Sequence, residues 1–347
     1  MEDIGRVNID GLEIQIPLTS GIEWHQTTVA DGPEVNLTRV RVEDSLGTGI
    51  RVVNGRSFTL SDSELLDNGN ANTEHSLDYL VDIEVADTNN DIFSVILQDN
   101  TITDDSADAI RIESGGLLDD TLMSLVMERN TVTNSISDTS NLSVVWEGPL
   151  SMFINDSNNF VGTGATNNVG IEVDATSTDL SDLMTLTVTN NNSFTFAGTV
   201  SRGMEVSTEG PSNILIANNN AQGFIMGGTG SYAIRFLDLA ANSNVQIDSN
   251  LINMTGLNAR AIFFDLVNAS SSSVIIDNNQ IGLFDGNLFI DTAVGFNAMT
   301  NGPLTLGTGV NNIVNITSVG NNNSFLLFNP GGGTFDGQIS LNGFLLP

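Results

Sequence analysis

The sequence predicts an all-β chain, a single-stranded parallel β-helix of roughly ten coils with almost no α-helix. Three observations predict it. A knot centred on Asn recurs at intervals of about 30 residues, a solenoid period. A short strand of period-two alternation follows each knot. No stretch sustains the 3.6-residue periodicity of an amphipathic helix.

The knot places an apolar residue, then Asn three positions on, then an apolar residue two further. It reads Leu97–Asn100–Ile102, Met127–Asn130–Val132, Ile247–Asn250–Ile252 and Ile276–Asn279–Ile281. Ile154–Asn158–Phe160 and Val188–Asn192–Phe194 fit with one residue inserted. Ile216 with Asn219 is a poorer copy, with Ala221 in the apolar slot, and Leu60–Ser63–Leu65 replaces Asn by Ser. In a stack with coils ~4.8 Å apart, equivalent residues stand above one another. An Asn at each corner tolerates a left-handed backbone, and its amide reaches the Asn of the next coil. The expected ladder is Asn100, Asn130, Asn158, Asn192, Asn219, Asn250 and Asn279.

The strand after each knot reads Gly49-Ile50-Arg51-Val52, Asp82-Ile83-Glu84-Val85, Ala109-Ile110-Arg111-Ile112 and Ser143-Val144-Val145-Trp146. It continues as Gly170-Ile171-Glu172-Val173, Gly203-Met204-Glu205-Val206, Ala233-Ile234-Arg235-Phe236 and Ala261-Ile262-Phe263-Phe264. A sandwich or barrel also uses short strands, but neither needs one Asn at one place in every repeat. Residues 1–36 lack the knot and read as an N-terminal cap or first irregular coil. Residues 37–300 read as the coils. Residues 301–347 read as the last irregular coils and a C-terminal cap, since an open stack exposes sheet edges.

These knots and G-I-x-V strands resemble the right-handed parallel β-helix family, the pectate-lyase-like superfamily. The resemblance covers residues 37–292 best and implies a right-handed coil. It says little about activity, because that scaffold carries lyases, hydrolases, epimerases, phage tailspikes and adhesins. In the polygalacturonase branch the signature includes a GHG and an RIK motif, and this chain has neither. The pectate lyase branch implies calcium-held acids beside a catalytic Arg or Lys, and no such set aligns here.

Composition narrows the partners. The chain has 42 Asp and Glu against 10 basic residues, all Arg, for a formal charge of −32. Such a surface repels nucleic acid and anionic membranes and suits a saline or calcium-containing medium. With no cysteine there is no disulfide, thiolate metal site or cysteine nucleophile. No apolar run reaches membrane-spanning length, so membrane insertion is not expected. The opening Met1-Glu2-Asp3-Ile4 lacks the basic and apolar regions of a signal peptide, and reads as a start placed ahead of a segment of a longer precursor.

Candidate chemistry is sparse. His25 and His75 belong to no catalytic or metal spacing and read as exposed loop residues. Asp104-Asp105 and Asp119-Asp120 read as solvated turns. The outward slot of the G-I-x-V strand runs Arg51, Glu84, Arg111, Val145, Glu172, Glu205, Arg235, Phe263 and Phe289. This sets Glu172 and Glu205 ~5 Å apart with Arg235 one coil on. Such a set suits a retaining glycosidase, or a ladder in which Arg neutralises adjacent acids. Glu172, Glu205 and Arg235 are therefore the catalytic candidates, and Phe263 and Phe289 the candidates for stacking on a sugar ring. "GGGTFDGQI" (331–339) partly matches a glycine-rich calcium repeat through Gly331, Gly332 and Asp336. Asp104, Asp105 and Asp336 are the metal candidates, with calcium the cofactor they would take. N-x-S/T triplets such as Asn36-Leu37-Thr38 and Asn315-Ile316-Thr317 are expected by chance in this composition. The threonines near Thr187 do not form the array an ice-binding face needs.

The leading reading is a non-enzymatic extracellular rod. It would be a stalk or adhesive module of a large bacterial surface or secreted protein, with polysaccharide or cell-surface glycan and neighbouring domains as partners. The alternative is an enzyme acting on polysaccharide (a lyase, glycosidase or epimerase) with its groove along one sheet.

Overall fold

In the computed structural model the chain is an all-β parallel solenoid, with no helix among the described residues. These are residues 6–15, 17, 19–25, 34–69, 75–81, 92–104, 107–114, 122–179, 182–268, 271–283 and 291–300. Short strands are also described at 304–306, 313–316, 323–327, 335–336, 338–341 and 344–346. Each coil visits three sheets in turn, A, B and C, which hold 12, 10 and 11 strands. Every pairing within them is parallel and joins one coil to the next. A small fourth sheet, near the C-terminus, contains the antiparallel pair Gln338–Leu341 with Phe344–Leu346.

Residues 1–36 contribute Arg6–Asp10 to sheet A, Glu13–Gln15 to sheet B and Ile22–His25 to sheet C, each paired in parallel with the following coil. Beyond residue 300, Leu304–Leu306 extends sheet A and Asn323–Leu327 extends sheet C.

The core is a set of stacked columns. Leu60, Leu97, Met127, Ile154, Val188, Ile216 and Ile247 occupy one column of sheet A, all fully buried. After the corner a sheet B column passes through Ile102, Val132, Phe160, Phe194, Phe224 and Ile252. Three of its rings stack face to face, Phe160 on Phe194 at 5.1 Å and Phe194 on Phe224 at 4.4 Å between centroids. Phe224, not Ala221, fills the slot in its coil. That corner is longer by several residues, and Gly223 closes it at a φ of 71°.

The corner between sheets A and B carries the Asn ladder. Each ladder Asn donates from Nδ2 to a main-chain carbonyl of the coil before and, as far as Asn250, to the next Asn's Oδ1. Asn130, for example, donates to Asn158 Oδ1 at 3.1 Å and to the Leu97 carbonyl at 2.8 Å. This double role explains why the position needs an amide: a carboxylate has no donor and a hydroxyl cannot span both directions. The ladder runs Asn100, Asn130, Asn158, Asn191, Asn219, Asn250, Asn279. Asn191 therefore stands where Asn192 was expected. Three positions past its anchor Val188, it keeps the register of Asn219 past Ile216, and the extra residue of that coil follows the ladder instead of preceding it. The left-handed residue is also not the ladder Asn. It is the one before it: Asp99, Arg129, Ser157, Asn190, Asn218, Ser249 and Asn278, with φ between 53° and 67°. Ser63 extends the device toward the N-terminus by accepting from Val40 N and donating its own N–H to Asn100 Oδ1.

On the opposite corner, turns stack backbone on backbone. A Cβ added at Gly228 would overlap the Gly198 carbonyl, and one at Gly256 would overlap that of Gly228. Gly228→Ala is expected to force these turns apart and destabilise the chain by about 2 kcal/mol, read by denaturant unfolding. Ala at Gly227, where the nearest atom would lie at 3.5 Å, should be tolerated.

Candidate functional site

The outer face of sheet C carries ionisable side chains through the middle coils. Five of the ten arginines lie on its strands: Arg51, Arg111, Arg202, Arg235 and Arg260. The outer faces of sheets A and B are uncharged over most of the middle coils.

The register corrects the expected outward column in three places. It runs Glu23, Arg51, Asp78, Arg111, Ser143, Glu172, Glu205, Arg235, Phe263, Gly295. Asp78 replaces Glu84, which lies outside the described residues. Ser143 replaces Val145, because a slip of two residues keeps alternate side chains inward and is invisible to a period-two pattern. Gly295 replaces Phe289, which also lies outside the described residues.

Glu172, Glu205 and Arg235 do stand side by side in successive coils. Glu205 is clamped by two arginines, with Oε2 2.7 Å from Arg202 Nε and 2.9 Å from Arg235 Nη1. Arg235 continues to Asp265 at 2.5 Å. The result is an ion-pair chain Arg202–Glu205–Arg235–Asp265 across three coils, with every member at most one-fifth exposed. Burial pushes the Glu205 carboxyl above its ordinary range despite Arg202 and Arg235.

Glu172 has a different partner. Its Oε2 accepts from Ser140 Oγ at 2.5 Å, and the Ser140 backbone N–H donates to Asp108 Oδ1 at 2.6 Å. One buried serine thus bridges two carboxyl groups. Asp108 is raised above the carboxylate range, chiefly by burial and further by Glu172, against the Ser140 amide and His75. His75 is buried beside them, its Nδ1 bonded to the Asp108 carbonyl at 3.0 Å, so it is not an exposed loop residue. His25 is exposed at the end of Ile22–His25.

Phe263 is not an open stacking platform. It is 4% exposed, the Arg260 guanidinium lies 4.7 Å over its ring, and Tyr232 meets its edge. Arg260 also donates to the Tyr232 hydroxyl. Gly295 in the next coil leaves the ring its room, since a Cβ there would lie 2.6 Å from it.

Of the metal candidates, Asp104 and Asp336 lie in different sheets many coils apart. Asp104 is buried, its Oδ1 accepting the Ala107 N–H at 3.0 Å. Asp105 lies outside the described residues, and Asp336 sits in strand Phe335–Asp336 beside Thr305. Among the described residues no three acids or histidines are grouped to hold a metal ion.

Asp108, Ser140, Arg202, Tyr232 and Arg260 escaped the sequence reading. A signal for the last three was present. "SRGMEV", "SYAIRF" and "ARAIFF" align, and Arg202, Tyr232 and Arg260 share one position two residues before the inward Met or Ile.

Where the strands of sheet C end, a hollow of about 500 Å³ opens, lined by Thr178, Thr208, Glu209, Asp238, Asn268 and neighbours. Burial raises Asp238, and burial with Glu209 and Glu172 raises nearby Asp174.

No family model matches the chain, no curated protein is similar to it, and no solved structure matches it. Among the described residues no helix is long and apolar enough to cross a membrane.

The raised carboxyls carry a sign. Asp108, Asp174, Glu205 and Asp238 hold protons in the folded chain at a pH where the unfolded chain has lost them. Their stabilisation is fully present below the ordinary carboxyl range and is lost as pH rises through their folded values. Asp99, lowered by Arg129, runs the other way but is exposed. The charge of −32 adds self-repulsion at neutral pH. The melting temperature is therefore expected to rise as pH falls from 7.5 to about 5 at constant ionic strength. Differential scanning calorimetry checks it, and a fall over that range would contradict the burial of these four groups.

Proposed function

We propose that the chain is a rigid rod from the exterior of a bacterial cell, a stalk or adhesive module of a larger surface or secreted protein, that recognises polysaccharide along the outer face of sheet C. The reading includes a right-handed coil and kinship with the pectate-lyase-like superfamily that the repeat resembles. The hollow at the edge of sheet C carries it. Carboxyl, amide and hydroxyl groups converge there without a cation, and these are the groups that bind sugar hydroxyls in pairs. The continuous core supports the rod, because each coil is held by its neighbours and stiffness follows from stacking. The locked chain Arg202–Glu205–Arg235–Asp265 supports recognition over turnover, since a doubly paired Glu205 is not free to act as a nucleophile.

A glycan array with calcium and again with EDTA tests the reading. Asp238→Ala with Glu209→Ala is expected to lower binding at least tenfold. Binding to no glycan, or unchanged binding by the double variant, would overturn the sheet C assignment.

One observation favours a second reading, hydrolysis of the bound glycan. Asp108, its carboxyl raised by burial, shares Ser140 with Glu172, and two carboxyl groups in unlike environments on one hydrogen-bonding side chain are the pairing that acid–base catalysis uses. On this reading Glu172→Gln lowers product release from a bound polysaccharide by roughly a hundredfold while leaving binding intact. Absence of turnover in the native chain would dismiss it.

A further inference from the structure

We propose a second binding surface, on the outer face of sheet A, shaped for a neutral β-linked polysaccharide lying along the axis of the helix. It goes beyond the sheet C reading and uses none of its residues.

Two outward columns run along eight of the twelve strands of sheet A. One passes from Ser57 to Ser273 and holds only serine, threonine and asparagine across eight coils. The other passes from Thr59 to Ile275 through Ile96, Val126, Phe153 and Leu215, with Thr187 and Gln246 between. Neither column holds an ionisable side chain over these coils, in a chain that carries 42 acids. Phe153 stands 41% exposed on this face. Over the last four of these coils the columns border a shallow trough of about 370 Å³, lined by Thr187, Asn213, Leu215, Gln246, Ile275 and neighbours.

The chemistry selects the occupant. An apolar stripe beside a hydrogen-bonding stripe, both repeating every ~4.8 Å, fits a polymer with apolar C–H ring faces and hydroxyl-bearing edges. A polyanion gains nothing from an uncharged floor, and the acids Glu128, Asp248 and Asp277 at the end of the same strands repel it. A second copy of the chain fits poorly. Eight coils at ~4.8 Å and two columns ~7 Å apart give a strip of roughly 270 Å², about a third of what each partner of a stable interface buries. The outer face of sheet B is also uncharged in the middle coils, but no large apolar side chain stands out from it as Phe153 does.

Depletion binding to cellulose, chitin and an insoluble β-1,3-glucan, with pectate as the charged control, tests the proposal. Binding to at least one neutral polymer is expected, equal in 0.15 M and 1 M NaCl. The outward variants Phe153→Asp and Leu215→Asp should lower the partition constant at least tenfold with unchanged circular dichroism. Thr187→Glu is a second route that removes no apolar contact. The sheet C double variant, Asp238→Ala with Glu209→Ala, should leave this binding unchanged, so failure of one face is separable from failure of the other. The proposal is overturned if no neutral polymer is bound, if the sheet A variants bind like the native chain, or if light scattering shows that they convert a dimer to a monomer.

Discussion

Asn191→Ala is expected to destabilise the chain by about 4 kcal/mol, and Asn192→Ala, one residue on, by about 1 kcal/mol. The residues are identical in type and adjacent in sequence, so only their places in the corner differ. Asn191 is 1% exposed and uses its amide in three directions. It accepts from Asn158 Nδ2 at 2.9 Å, and donates to the Ile154 carbonyl at 2.9 Å and to Asn219 Oδ1 at 3.0 Å. Alanine leaves a buried donor, a buried carbonyl and a buried amide oxygen without this partner. Asn158 Nδ2 keeps the Met127 and Asn155 carbonyls, and Asn219 Oδ1 keeps the Asn191 backbone N–H. The loss is therefore that of three buried hydrogen bonds that no water replaces, each about 1–1.5 kcal/mol. Asn192 is half-buried, and its amide donates to Asn159 Oδ1 at 2.6 Å. Water replaces that bond. Urea unfolding of the two variants, read at a common slope, gives both numbers. Equal losses would return the ladder to Asn192.

This pair also marks how far the sequence could be read. The ladder was legible because six of its seven members obey one rule, an amide past an apolar anchor and before the next inward residue. The seventh lies in Asn190-Asn191-Asn192, where composition cannot choose. The choice is made by strand register, since Val188 must lie over Ile216 for its side chain to enter the core. Ser143 and Val145 show the same limit from the other side. Both are outward under the alternation, and only the pairing of Leu142 with Ile110 separates them. The site was legible in part for a related reason. Glu172, Glu205 and Arg235 lie at one strand position and so follow from the repeat. Asp108 and Ser140 come from a different coil segment, and the bridge between them depends on how the turn before sheet C is folded. Phe263 was placed on the correct face, but its burial rests on Arg260 and Tyr232, long side chains whose reach no repeat specifies.

Phe194→Ala is expected to cost about 5 kcal/mol, the upper end of ring-to-alanine losses in a core. Phe194 is fully buried and is the middle ring of three, stacked on Phe160 at 5.1 Å with an interplanar angle of 12° and on Phe224 at 4.4 Å with 7°. Removing an end ring breaks one stacked contact; removing the middle ring breaks two, each worth about 0.5–1.5 kcal/mol beyond area. The neighbours cannot close the gap, because each is fixed by its own strand pairing in sheet B. Phe153→Ala is the control, since that ring stands 41% exposed and its loss should stay below about 1 kcal/mol. A solenoid adds a spatial prediction. Coils are coupled only to their neighbours, so the loss at Phe194 should be felt locally and decay along the stack. Hydrogen exchange is therefore expected to quicken in strands Asn159–Gly162, Ser193–Phe196 and Gly223–Met226, while Thr101–Asp104 keeps its native protection. Uniform loss of protection along the chain would mean that the rod unfolds as one cooperative unit, and that the aromatic stack anchors all of it.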